Sequence, residues 1–113
     1  MLGTQEITMD ANSTVSLLAR LQELAREGDL TDRKDLLPEV MELRGYAEYQ
    51  CKMDRNEYNH AFAAAAQAYF LISSTGLPAF EETTYQRVIE LSELAIAAIS
   101  HATADTTQRS AHH

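Results

Sequence analysis

This sequence has no tryptophan, one cysteine, four glycines and two prolines, and aromatic residues make up only 7% of it. So few glycines and prolines leave too little punctuation for many short strands, which argues against a strand-and-turn architecture. A lone thiol, Cys51, forms no intrachain disulfide and cannot build a metal cluster, and it suits a reducing, cytoplasmic setting. Basic residues are outnumbered, nine against seventeen acidic ones, for a formal charge of −8. A net negative surface repels phosphate backbones and so argues against nucleic-acid binding, while favouring solubility and basic protein partners. No apolar run approaches the roughly 20 residues that span a bilayer. The longest candidate, 61–72, is interrupted by Gln67. The start of the chain lacks a basic segment followed by an apolar core, so it does not read as a secretory signal.

What is present is helical periodicity. At 113 residues the chain is long enough for one modest core. The most informative stretch is Asp54 to Ser73, rich in alanine, which loses no side-chain entropy in a helix and lets a neighbouring backbone come close. Tyr58, Phe62, Ala65, Tyr69 and Ile72 fall on one stripe, and Ala61, Ala64, Ala68 and Leu71 on the next. A helix apolar on two adjoining stripes is the central member of a bundle. Before it, Val15, Leu17, Leu18, Leu21, Leu24 and Ala25 recur at helical spacing behind a cap at Asn12, Ser13 or Thr14, and Gly28 supplies the stop. Asp29 to Lys34 form a polar connection. A second helix, capped by Asp35 with Pro38 in its first turn, carries Leu37, Val40, Met41, Leu43, Ala47 and Cys51. Gly45 inside it suggests a close contact or a bend, since glycine costs up to about 1 kcal/mol there.

Asp54 with Glu57 has capping-box spacing and breaks what would otherwise be one long helix. Thr75 to Pro78 form the next stop. Thr83 and Gln86 open the fourth helix, with Tyr85, Val88, Ile89, Ser92, Ala95, Ile96 and Ile99 inside, widened by Leu91, Leu94 and Ala98. No internal repeat stands out. The expected fold is all-α: an antiparallel bundle of four helices over 13–27, 36–52, 55–73 and 84–101. Residues 1–11 form a flexible leader, 12–101 the single helical domain, and the polar, aperiodic 102–113 a disordered tail.

Two readings of function follow. On the second helix Tyr46, Tyr49 and Met53 make a soft aromatic patch on a different stripe from the Leu37–Val40–Ala47–Cys51 line. Tyrosine and methionine are favoured where a partner buries a surface. With Glu42 and Glu48 as its rim, this patch is the candidate contact site. The chain then reads as a small acidic protein that works through protein contacts, with another protein or with itself as a homodimer. Regulators, adaptors, inhibitors and mobile-element products are of this kind.

The second reading rests on Arg55-Asn56-Glu57-Tyr58-Asn59-His60-Ala61-Phe62. An arginine, a polar residue directly after it, a histidine five positions on and an aromatic two further resembles the signature of HEPN-type ribonucleases. These are small all-helical proteins, often toxins, that dimerise so that two motifs face one RNA-cleaving cleft. The resemblance implies metal-independent catalysis with His60 in proton transfer, Arg55 stabilising the phosphate and Asn56 orienting. The bland alternative places Arg55 at a helix start and His60 on a partly exposed face. No metal site is expected: His101, His112 and His113 have no partner at ligand spacing. Glu81 and Glu82 suit a helix N-terminus, and no phosphate loop or nucleophile motif calls for a cofactor.

Overall fold

A computed structural model describes residues 9–73 and 78–111, with side-chain surroundings given for the last helix over 81–104. Four helices and two short 3-10 turns account for it: α1 Ala11–Arg26, α2 Leu37–Lys52, α3 Asn59–Ser73 and α4 Pro78–Ala111. The turns, Lys34–Leu36 and Asn56–Tyr58, lead directly into α2 and α3. Helix α1 packs on α4, α4 on α3 and α3 on α2, so α3 lies between two neighbours. Arg20 and Glu39, 3.4 Å apart, bring α1 and α2 together at the rim.

Alanine decides how α3 can hold that position. Its fully buried line is Ala61, Ala64, Ala65, Ala68, Leu71 and Ile72, while Phe62 and Tyr69 are only partly covered. The two expected stripes therefore divide differently: small residues form the contact and the large rings close its edges. Small side chains let α2 and α4 approach α3 from both sides. Helix α1 buries Thr14, Leu18, Leu21 and Ala25, and α4 buries Thr84, Val88, Ser92, Ala95 and Ile99. Leu94, expected to widen that inner stripe, is 51% exposed. Leu30 is buried as well, so the polar connection expected over Asp29 to Lys34 in fact contributes core.

The helix ends differ from expectation in several places. The cap of α1 is Asp10, not Asn12, Ser13 or Thr14. Its carboxylate accepts from the Ser13 N–H, and Ser13 Oγ accepts from the Asp10 N–H, both at 2.8 Å. The N–H groups of the capping residue and of the third helical residue are satisfied reciprocally, as in a capping box with the acid and hydroxyl exchanged. Helix α1 thus begins within the expected leader, and Met9 packs against the core. Residues 1–8 lie outside the described ones, as does most of the stop expected at 75–78.

Pro38 does sit in the first turn of α2, although Leu36 rather than Asp35 is the capping residue. Helix α4 opens at Pro78, so Thr83 and Gln86 lie inside it and form no box. Its backbone stays helical to Ala111, through ten residues expected to be tail; 102–111 contain no glycine or proline to stop propagation.

The break between α2 and α3 is present, but Asp54 does not cap it. Asp54 has φ +63 and ends α2 in the left-handed conformation, with the Arg55 N–H reaching back to the Gln50 carbonyl. Glycine is the usual residue there, and any other accepts some strain. A similar turn precedes α2. Asp32 at φ +69 is followed by Arg33 and by a 3-10 turn ending on buried Leu36. Asp54 is followed by Arg55 and by a 3-10 turn ending on buried Tyr58. Asp-Arg-Lys-Asp-Leu and Asp-Arg-Asn-Glu-Tyr are thus two versions of one helix entry, a short repeat that hydrophobic periodicity does not reveal.

Candidate protein-contact surface

Helix α2 is apolar on two opposite sides. Its inner side, Val40, Leu43 and Ala47, is fully buried against α3. Residues four apart on a helix are displaced by about 40° around its axis, so Met41, Gly45, Tyr49 and Met53 form one continuous ridge. Met41 is 55% exposed, Tyr49 58% and Met53 57%, three of the five large apolar side chains left open to solvent among the described residues. Isolated exposed apolar groups are ordinary; three on one ridge opposite the core are not.

Gly45 lies on this ridge between Met41 and Tyr49. A Cβ added there would meet nothing within 4 Å, so no close contact inside the chain accounts for it, and α2 is continuous from Leu37 to Lys52. A glycine here costs up to about 1 kcal/mol relative to alanine with no compensation inside the chain.

The structure divides the tyrosine pair. Tyr46 leans inward and meets Tyr58 edge-on, ring centroids 5.6 Å apart at 83°. It is partly buried against the core, so it supports the helix entry and leaves the open patch. Burial, with the Tyr46 hydroxyl beside it, pushes the Tyr58 phenol well above its usual range. Tyr49 and Met53 stand where expected. Glu48 is exposed and pairs with Lys52 at 3.7 Å, and Glu42 is half-buried. Met41, read from the sequence as a core residue, belongs to the open ridge. Its four-residue spacing to Gly45 and eight to Tyr49 was the available signal. Arg44 borders the ridge and lies over the Tyr69 ring, 5.9 Å from its centroid.

Arg55, Asn56 and His60 are all exposed. Arg55 lines a small groove of about 190 Å³ with Glu57, Tyr58 and residues of α1 and α4, and neither Asn56 nor His60 reaches it. The contrast with Arg33 is informative. Arg33 is held by Asp29 at 2.7 Å and Asp35 at 3.0 Å, whereas at the equivalent places beside Arg55 stand Cys51 and Glu57. Cys51 donates instead to Asn59 Oδ1 at 3.1 Å, and burial followed by the nearby Glu48 and Glu57 charges pushes its thiol up. A thiol so placed stays protonated at neutral pH and is a poor nucleophile.

A second groove, about 630 Å³, lies between α3 and α4 and is lined by Ala66, Gln67, Phe70, Thr83, Thr84 and Arg87. Among the described residues no three metal-ligating side chains converge, and no helix is long and apolar enough to cross a membrane. Comparison with known proteins found no match to any protein family, curated protein or solved structure.

Proposed function

We propose that this chain is a protein-contact module, a regulator, adaptor or inhibitor that binds its partner through the outward face of α2. The observation that carries this reading is the ridge of Met41, Tyr49 and Met53, open to solvent on the side of α2 facing away from the core. Flexible methionines beside a rigid tyrosine suit a surface that a second protein covers, since Met adapts to the opposing shape and Tyr anchors it. Glu42 and Glu48 form part of its rim. The single cysteine is consistent with action in the cytoplasm.

A photo-crosslinking residue in place of Tyr49 tests this, with the same residue at exposed Glu90 on α4 as control. A discrete protein adduct at position 49 and none at 90 supports the reading. Equal labelling at both positions, or none at 49, refutes it. The HEPN-type reading makes a separate demand: the protein should cleave RNA without added metal, and His60→Ala should abolish cleavage with the melting temperature unchanged.

A further inference from the structure

We infer that the outward face of α2 is covered by the same face of a second copy of this chain, the two helices crossing antiparallel at Gly45; this rests on the contact-face reading above. Two of the ridge's three exposed side chains are placed symmetrically about that glycine, with Met53 beyond them. Met41 lies four residues before it and Tyr49 four after, so a two-fold axis through Gly45 sets Met41 of one copy against Tyr49 of the other, twice. Such self-complementarity is what an isologous contact requires. Residues at four-residue spacing form the ridge that packs between its counterparts at a crossing angle of about −50°, with closest approach at the crossing point. A side chain at that point would hold the two backbones apart, and Gly45 has none. The open space over its Cα is then occupied by the second α2, which accounts for a mid-helix glycine that nothing in its own chain explains.

Charge favours the same occupant. The chain as a whole carries −8, but the charges beside the ridge balance: Arg44, Glu48 and Lys52 follow one edge at four-residue spacing, with Glu48 paired to Lys52, and Glu42 stands on the other. A partner selected by its basicity would meet no net charge on this face. The two-fold crossing brings Glu48 of one copy beside Arg44 of the other, and Glu42 beside the other copy's Tyr49 hydroxyl. Attraction therefore replaces the repulsion expected between two acidic chains. Helix α2 has 16 residues, about 24 Å of length. A single crossing of that size falls in the small, exchanging class of interfaces, so monomer and dimer interconvert with concentration.

Light scattering and sedimentation equilibrium on the full chain, from about 5 μM to about 1 mM, bracket such an association. The mass should rise from 12.6 kDa towards twice that value. Tyr49→Lys and Met41→Lys should each weaken association at least about tenfold, with the circular dichroism unchanged. Gly45→Ala gives the sharper signature. At low concentration it should melt higher than the parent, because alanine is the better helix former and its methyl meets open space, while its association weakens. A mass of one chain throughout the range overturns the inference. So does a dimer indifferent to Tyr49→Lys and Gly45→Ala. If position 49 crosslinks to a different protein while the purified chain stays monomeric, the second copy is the wrong occupant and the contact face stands. If position 49 crosslinks to nothing, the contact face itself fails.

Discussion

Removing one oxygen atom at Tyr85 should unlock the connection between α1 and α2 from α4. The Tyr85 hydroxyl accepts from the Leu30 N–H at 2.8 Å and from the Thr31 N–H at 2.7 Å. Thr31 Oγ1 lies 2.9 Å away. With both lone pairs engaged, the phenolic proton is left for Thr31 Oγ1, so the group is saturated. Tyr85→Phe keeps the ring and its packing against the core but strands two backbone donors. One belongs to Leu30, whose side chain is fully buried. An unsatisfied buried donor costs about 1–3 kcal/mol, and a donor that water reaches forfeits about 0.5–1.5. With the Leu30 donor in the first class and the Thr31 donor in the second, the total is about 1.5–4.5 kcal/mol. That is a large share of the roughly 5–15 kcal/mol that holds a small domain together. For a domain of this size the melting temperature should fall by about 6–18 °C. Thermal and urea unfolding followed by circular dichroism measure the loss, and amide exchange at Leu30 and Thr31 locates it. A drop of less than about 3 °C, with those two amides still protected, would refute the claim that this hydroxyl ties the connection down.

Two further outcomes follow from single side chains. Ser92 is fully buried on α4 and its hydroxyl has no hydrogen-bond partner, so Ser92→Ala removes an unrepaid desolvation cost and should stabilise the fold by about 1 kcal/mol or more; a lower midpoint in urea would show that the hydroxyl is satisfied in solution. Acid should destabilise the protein as the pH falls below the ordinary carboxyl value of 3.8, because the Ser13 N–H and hydroxyl hold Asp10 below it and Arg33 does the same for Asp35. A carboxyl depressed in the folded state contributes stability above its unfolded pKa and loses it as the pH drops through the folded one. Asp10→Asn keeps the cap and should flatten part of that slope; a melting temperature unchanged between pH values on either side of about 4 would contradict the assignment.

Local chemistry made the helices legible. Leucines at three- and four-residue spacing, alanine through α3, Gly28 after α1 and Pro38 in the first turn of α2 each act within a few residues. Their message does not depend on what packs against them. The break near residue 54 was legible too, but not its form. An aspartate in the left-handed conformation and an aspartate capping a helix share one local sequence, and the buried position awaiting Tyr58 separates them. The end of α4 escaped for the opposite reason: polar residues without glycine or proline permit helix as readily as coil.

Membership of the contact face lay between these cases. Tyr49 and Met53 were visible as a second apolar stripe, since α2 could bury only one side against α3. Met41 was legible as well from its four-residue spacing to Gly45, whereas the place of Tyr46 depends on its neighbour. The aromatic ring of Tyr58, presented from the next helix entry, meets Tyr46 edge-on and holds it against the core. The sequence by itself determined which segments are helical, since propensity and periodicity are properties of neighbours along the chain. Only the tertiary structure decided which apolar side chains find cover, because that depends on the shape of what the other helices bring to meet them.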